Sequence, residues 1–253
     1  MESIALGFVC GFTGEVIKST LKDLEIEQDF VELSHGFSRI NIKMKSSAET
    51  EINGLGPSIS DEDMEQLYKK LDRLKNGDIL VLAGSVPPSL PSTIYCDILE
   101  RLSGKDLRIV VDATNELLTG ILKFEPFLIK PNHFELSEIF GKKLTGDEEI
   151  AECAKNLKSR GAKNVLVSMG GKGALMVTED DRILRLPAPQ GEVIDTTGAG
   201  DSMVAGFLAG YLENGHIDHA FALGLAAGSA SAFSHNLATK EEILNIYNKT
   251  VAQ

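Results

Sequence analysis

Hydrophobic positions along the chain form short apolar runs that alternate with longer amphipathic segments. Apolar runs bounded by turn residues predict strands at 4–9, 78–82, 108–111, 127–129 and 164–168. Apolar positions at helical spacing predict helices at 13–24, 60–74, 91–102, 132–140 and 147–160. Because strands that alternate with helices are typical of βα units, the pattern predicts an α/β fold with a mainly parallel sheet.

The pattern changes at about residues 29–56. Residues 30–33 and 39–45 alternate with the two-residue period of strands that expose one face. Two such strands beside an α/β core indicate a small β lid, and an ordinary edge hairpin fits the spacing equally well. We therefore predict one domain over residues 1–253, with a small lid at about 29–56.

The last third of the chain is rich in alanine, glycine and serine. Residues 201–214 and 218–233 have these small side chains at helical spacing, and Gly206 with Gly210 forms a Gly-x-x-x-Gly face. Such a face permits close helix packing in membranes and in soluble proteins. Because polar residues interrupt the run between 213 and 218, the sequence favours two closely packed soluble helices.

Composition and charge narrow the classes of function. The chain has 253 residues, with 25 Lys and Arg against 37 Asp and Glu, so its formal net charge is −12. An acidic surface repels nucleic-acid backbones and anionic lipids. The sequence has no basic patch, signal peptide or membrane-spanning run, so we expect a cytoplasmic protein without nucleic-acid or membrane partners. Its three widely spaced cysteines predict reduced thiols.

A glycine-rich turn before the first small-residue helix is the most informative segment. Gly198, Ala199 and Gly200 precede Asp201, where the helix is expected to begin. A helix N-terminus offers unpaired N–H groups and the positive end of the macrodipole, and the bare turn lets a phosphate approach them. Asp201 could then contact a substrate hydroxyl as general base. The alternative is a tight turn with an aspartate N-cap.

Two other phosphate motifs fail on inspection. Lys172 in the Gly-Gly-Lys-Gly segment 170–173 precedes glycine, where a P-loop needs Ser or Thr. Gly198-x-Gly200 reaches Met203 at the sixth position, so the dinucleotide fingerprint is broken and a nicotinamide dehydrogenase is disfavoured.

Several motifs together resemble one family. The segment Asp195-Thr-Thr-Gly-Ala-Gly-Asp-Ser202 resembles the carboxyl-terminal signature of the ribokinase-like, phosphofructokinase B sugar kinases. Residues 84–88, 130–135 and 168–173 resemble the family's Gly-Ser-x-Pro turn, its Asn-x-x-Glu motif and its ATP loop. More narrowly, residues 39–43 and 49–57 resemble 1-phosphofructokinases, with tagatose-6-phosphate kinases as near relatives.

The resemblance implies a ribokinase-like three-layer α/β/α sandwich with a small β lid, and a kinase that uses ATP and Mg²⁺. Asp201 would be the general base that also contacts the sugar, and residues 198–200 would form the anion hole. Asn132 and Glu135 share one helix face and would orient magnesium, with helix capping as the alternative. Contacts to ATP would come from Asn132, Ser168, Met169, Gly170, Gly171, Lys172, Gly173 and Gly200. Residues 168–173 could form a hairpin turn between two strands at the same time.

The sugar phosphate would be bound from the lid side. Arg39 offers a bidentate fork for a phosphate, and Lys43 a point charge nearby. Ser85 lies in the turn that resembles the family's sugar-binding turn. These three assignments rest on the resemblance, since a lone arginine on a strand is usually solvated.

The expected reaction is ATP-dependent phosphorylation of a ketohexose phosphate, fructose 1-phosphate to fructose 1,6-bisphosphate in the leading hypothesis. A tagatose-6-phosphate kinase is one alternative. A catalytically silent nucleotide-binding fragment is another, because the chain resembles roughly the last five-sixths of a family member. The resemblance implies that a core strand is lacking, which would leave apolar surface uncovered. A homodimer is an open alternative for the assembly.

Overall fold

A computed structural model describes residues 2–45, 49–84 and 86–251. The chain forms two compact units. The first consists of Met1–Asp78 and Ser85–Asp106, and the second of Ile79–Gly84 and Leu107–Gln253. The single kinase domain expected from the sequence stays a prediction.

Strands and helices alternate along most of the described chain, as the hydrophobic pattern predicts. The strands are β1 Ile4–Ala5, β2 Phe8–Cys10, β3 Glu27–Gln28, β4 Val31–Leu33, β5 Asn41–Lys45, β6 Glu49–Asn53, β7 Ile79–Ala83, β8 Arg108–Asp112, β9 Leu128–Ile129, β10 Asn164–Ser168, β11 Ala174–Val177 and β12 Ile183–Leu186. The helices are α1 Gly11–Asp23, α2 Asp61–Leu71, α3 Ile94–Arg101, α4 Asn115–Gly120, α5 His133–Phe140, α6 Asp147–Ser159, α7 Ala199–Asn214, α8 Ile217–Ala232 and α9 Lys240–Val251.

Within its described residues, the first unit contains three two-stranded sheets. Strands β2 and β4 pair in parallel across helix α1, and β5 pairs with β6 in antiparallel fashion, with Ile42 opposite Ile52. The two alternating segments at 30–33 and 39–45 therefore pair with different strands, and the lid expected at about 29–56 stays a prediction. The first belongs to a βαβ unit, because α1 supplies the crossover that parallel pairing requires. The second belongs to the separate two-stranded sheet of β5 and β6.

The second unit is built on a six-stranded sheet in the order β12-β11-β10-β9-β8-β7. Strands β7 to β10 are parallel, and β11 and β12 extend the sheet as an antiparallel hairpin. The parallel strands are short and mostly buried, as expected for a sheet covered on both faces.

Helices cover the two faces of this sheet. Leu166 and Met176 pack on one face against Phe207 and Phe221, which lie on α7 and α8. Helix α6 packs against β10 and β11. Because neighbouring strand residues point to opposite faces, Val165 and Val167, which are also buried, face the α6 side. The second unit is thus a three-layer α/β/α arrangement, as predicted.

The small-residue helices pack as closely as the sequence predicts. A Cβ atom built on Gly206 would lie 2.5 Å from the Cβ of Ala227, so a larger residue at 206 would push α7 and α8 apart. Over the described part of the chain, we find no helix both long and apolar enough to span a bilayer. Among the described residues, Cys10, Cys96 and Cys153 form no disulfide.

Candidate active site

Three parallel strands of the second unit end side by side at one edge of the sheet. Strand β8 ends at Asp112, β9 is followed by Lys130, and β10 ends at Ser168. The edge is continued by a bridge between Asn132 and Ser168, whose N–H donates to the Pro131 carbonyl at 3.2 Å. Ligands of open α/β sheets bind at this carboxyl edge, so these side chains lie where a site is expected.

A buried ion pair lies at this edge. The Lys130 Nζ is 3.1 Å from Asp112 Oδ1, with the two side chains 6% and 17% exposed. Burial raises the pKa of Asp112, the charge of Lys130 opposes that shift, and the charge of Asp201 adds to it. The Asp112 carboxyl is therefore influenced by charges on both the β9 and α7 sides of this edge.

Helix α5 begins beside this pair with a capping box. Asn132 Oδ1 accepts from the N–H groups of Phe134 at 2.8 Å and Glu135 at 2.9 Å, and Glu135 Oε2 accepts from the Asn132 N–H at 2.8 Å. The capping role that the sequence left open is therefore present. Burial raises the pKa of Glu135, while its bond to Asn132 and the charge of Lys130 lower it.

The residues of this edge fit a magnesium–nucleotide complex better than a metal cage. Within the described residues, no three His, Cys, Asp or Glu side chains form a metal cluster. Magnesium is commonly bound by one or two carboxylates, several waters and substrate phosphates. Asp112 and Glu135 supply carboxylates of that kind near Lys130, and the Glu135 Oε1 atom lies outside the capping contacts.

Strand β10 runs into the glycine-rich loop 168–173. The loop is closed by hydrogen bonds from Met169 N to Gly173 O at 2.8 Å and from Gly173 N to Gly170 O at 2.9 Å. Cβ atoms built on Gly170 and Gly171 would meet nothing within 4 Å, whereas one on Gly173 would lie 2.2 Å from the Leu186 carbonyl oxygen. The loop is thus a hairpin turn with one open side.

Two residues expected to contact ATP differ in exposure. Lys172 is exposed, and its carbonyl accepts from Arg185 Nη2 at 2.8 Å. Met169 is 2% exposed, so its side chain belongs to the core and its backbone is the part that could contact a nucleotide.

Helix α7 begins two residues earlier than expected, at Ala199, after Gly198 in the left-handed region with φ 75°. The Ala199 N–H bonds to the Thr196 carbonyl at 3.2 Å, and the first helical bond runs from Ser202 N to Gly198 O at 2.8 Å. The amides of Gly200 and Asp201 lie between these bonds, in the first turn. The anion-hole role expected of residues 198–200 stays a prediction.

The first turn of α7 lies directly against the ion pair. A Cβ atom built on Gly200 would be 3.1 Å from Lys130 Nζ and 4.0 Å from Asp112 Oδ2. Asp201 follows in the same turn and is exposed. The carboxyl edge of the second unit therefore brings together the α7 turn, the ion pair, the α5 capping box and the end of β10.

The residues expected to bind the sugar phosphate are not among the described residues of this edge of the second unit. Arg39 belongs to the first unit, is exposed, and lies just before β5 and not on a strand. Lys43 lies within β5, opposite Glu51. Ser85 lies outside the described residues. Their roles in substrate binding stay predictions.

Sequence reasoning missed Asp112 and Lys130 as site residues. Both signals were available, since each is a charged residue at the end of a buried apolar run that was predicted as a parallel strand. The carboxyl ends of such strands meet at one edge.

Comparisons with known proteins identify the family of this chain. The family model described as pfkB family carbohydrate kinase matches residues 2–244. The chain is 47% identical to a 1-phosphofructokinase of Bacillus subtilis over 95% of its own length and 79% of the relative. It is 38% identical to a D-tagatose-1-phosphate kinase of Bacillus licheniformis, covering 94% of this chain and 78% of the relative.

Solved structures match the fold as well. The structure of phosphofructokinase-2 from Escherichia coli in complex with substrates and products superposes with a TM-score of 0.90 at 27% identity, covering 98% of this chain and 82% of that one. Family match, identity and fold all support the ribokinase-like prediction. The chain belongs to the pfkB family of carbohydrate kinases.

Proposed function

We propose that this kinase transfers the γ-phosphoryl group of ATP to a ketohexose phosphate, with fructose 1-phosphate converted to fructose 1,6-bisphosphate. The observation that supports it best is the α7 first turn, where an exposed carboxylate and two amides lie beside the Asp112–Lys130 pair. The 47% identity to a 1-phosphofructokinase favours this substrate.

Asp201 is the proposed general base. Its carboxylate accepts the proton of the sugar hydroxyl as the hydroxyl oxygen bonds to the γ-phosphorus, while the bond to ADP breaks and ADP leaves with the electron pair. The amides of Gly200 and Asp201, with the helix dipole, stabilise the negative charge that spreads over the phosphoryl oxygens.

Nucleotide and metal binding are assigned to the same edge of the sheet. The open side of loop 168–173 and Asn132 would hold ATP, and Asp112 and Glu135 would hold Mg²⁺ or its waters. Bound magnesium supplies charge neutralisation of the phosphates. Arg39, Lys43 and Ser85 would bind the sugar phosphate.

The reaction is tested with the purified chain, ATP and Mg²⁺. We expect ADP release with fructose 1-phosphate, with slower turnover on fructose 6-phosphate and the tagatose phosphates. Preference for a tagatose phosphate would support the tagatose kinase alternative instead. ATP binding by calorimetry with no ADP release on any sugar would support a catalytically silent fragment.

The role of Asp201 is tested by Asp201→Asn. We expect kcat to fall by about 10²- to 10⁴-fold, the usual effect of losing a general base, with KM for the sugar nearly unchanged. Asp218→Asn is the matched control, because this exposed carboxylate on α8 pairs with Arg182 at 2.8 Å. Equal kcat in wild type and Asp201→Asn would reject the assignment.

We also propose a cytoplasmic homodimer. Ile42 and Ile52 are opposite each other in the β5–β6 hairpin and are 50% and 53% exposed, so one hairpin face is apolar. A structure of Escherichia coli phosphofructokinase-2 is described as a tetrameric inhibited form. Light scattering on the purified chain should give a dimer mass, and Ile42→Lys should lower it to that of a monomer.

A further inference from the structure

Lys130 is the one charged residue that is buried among those whose exposure the structure describes; it is 5% exposed. Burying a charge is costly unless it is paired. The backbone holds the residue in place, because its N–H donates to the Val111 carbonyl at 3.1 Å and Pro131 follows it. A buried lysine at the carboxyl edge of a sheet therefore needs a reason to be there.

The ammonium group lies next to one carboxylate and one glycine. Asp112 Oδ1 lies 3.1 Å away, and the place that a Cβ of residue 200 would occupy lies 3.1 Å from Nζ. The side of Gly200 that lacks a side chain therefore faces Lys130 and not open space. By contrast, Gly171 in loop 168–173 has nothing within 4 Å in that direction.

The charge of this cation acts on two carboxylates. Asp112 pairs with it directly, and burial raises the pKa of Glu135 while the Lys130 charge offsets part of that rise. Asp201 interacts with Asp112. Without the ammonium group, the mutual repulsion of these carboxylates would act on the start of α7, where Asp201 and the two amides lie.

We propose that Lys130 is a positioning residue of the transfer site, and that residue 200 is glycine to leave room for the Lys130 ammonium group. This inference rests on the proposed function. Lys130 is buried against Asp112, so its positioning role acts through Asp112 and the first turn of α7. The competing explanation is that residue 200 is glycine so that a phosphate can approach.

A double-mutant cycle separates the two explanations. Gly200→Ala should displace the ammonium group and lower kcat by about 10²-fold, the effect of a misplaced catalytic group. Lys130→Ala should lower kcat by a similar factor. In the Lys130→Ala background, Gly200→Ala should then lower kcat by less than about twofold, because the two changes remove one interaction. An equal decrease in kcat from Gly200→Ala in both backgrounds would overturn the proposal.

Controls use similar residues away from the edge. Lys163→Met should leave kcat unchanged, because the Lys163 side chain is 44% exposed and its ammonium group lies 3.9 Å from Glu179. Gly104→Ala should do the same, since nothing lies within 4 Å of its Cβ position.

Hydrogen exchange gives a readout that does not need activity. In Lys130→Met and in Gly200→Ala, the amides of residues 202–207 should exchange about tenfold faster, while those of α9 keep their wild-type rates. Gly200→Ala keeps every charge, so it tests the proposal even if the Lys130 variants do not fold. Wild-type exchange in the folded variants overturns the positioning role. Faster exchange with no kinase activity in wild type rejects the proposed function alone.

Discussion

Two glycine-rich turns lie at the carboxyl edge of the second unit, and they use glycine for different reasons. In loop 168–173, Gly170 and Gly171 face open space, and Gly173 faces the backbone of the neighbouring strand. In the α7 turn, Gly200 faces a buried ion pair. Loop 168–173 is fixed by backbone hydrogen bonds and steric contact, whereas the α7 turn lies against buried charges. Similar glycine-rich sequences thus bring exposed amides to the same edge through different interactions.

Gly173→Ala should have the largest effect on the free energy of unfolding, because the added side chain would clash with the backbone that supports loop 168–173. Gly173 has φ 96°, and its Cβ would lie 2.2 Å from the Leu186 carbonyl oxygen and 2.6 Å from the Ala188 nitrogen. Strain and overpacking together should lower the free energy of unfolding by about 3 to 5 kcal/mol, measured by urea denaturation. Gly171→Ala is the matched control, with a change below about 0.5 kcal/mol. Equal losses would contradict the comparison.

Asp112→Asn tests the buried charges next to the α7 turn. The substitution leaves the Lys130 ammonium group buried without its carboxylate, so the free energy of unfolding should fall by about 3 kcal/mol. Asp181→Asn removes a partner of Lys158, and because Asp181 is 80% exposed the loss should stay below about 1 kcal/mol. If both variants unfold at the same urea concentration, the buried pair does not support the turn.

The smallest expected effect is on the pH dependence of the free energy of unfolding, and it is tested by Glu135→Gln. Because burial raises the pKa of Glu135, the folded state binds its proton more tightly than the unfolded state does. The resulting stability is present below the ordinary value of 4.5 and is lost as the pH rises through the raised pKa. Glutamine can keep the capping bond to Asn132. Relative to Glu135→Gln, wild type should therefore lose stability over this window.

The control for this pH dependence has the opposite sign. The pKa of Glu149 is lowered by hydrogen bonds from the N–H and hydroxyl of Thr145. Relative to Glu149→Gln, wild type should therefore lose stability as the pH falls. Urea denaturation of both pairs between about pH 4 and 7 measures the two slopes, and slopes of equal sign would contradict the electrostatic account.

Local features of the site were well predicted. The α5 start with Asn132 and Glu135 and the β10–β11 turn form where short patterns placed them, and α7 begins two residues before the expected Asp201. Each depends on residues a few positions apart, so its geometry follows from helix capping, glycine conformations and strand periodicity.

Pairings between distant segments were not specified by the sequence pattern. The pattern assigned 30–33 and 39–45 to one small lid or edge hairpin, whereas β4 pairs with β2 and β5 with β6. Two-residue periodicity identifies a strand but does not specify its partner, because any strand with an apolar face satisfies the same pattern.

The amino-acid sequence by itself determined that this protein is an acidic α/β chain with a bare, aspartate-bearing turn at the start of a late helix. Tertiary structure alone decided that Lys130 pairs with Asp112, and that Gly200 faces that pair while Gly171 faces open space. The reason is that a glycine is the same residue wherever it occurs, and what its missing side chain would meet depends on segments that only folding brings together.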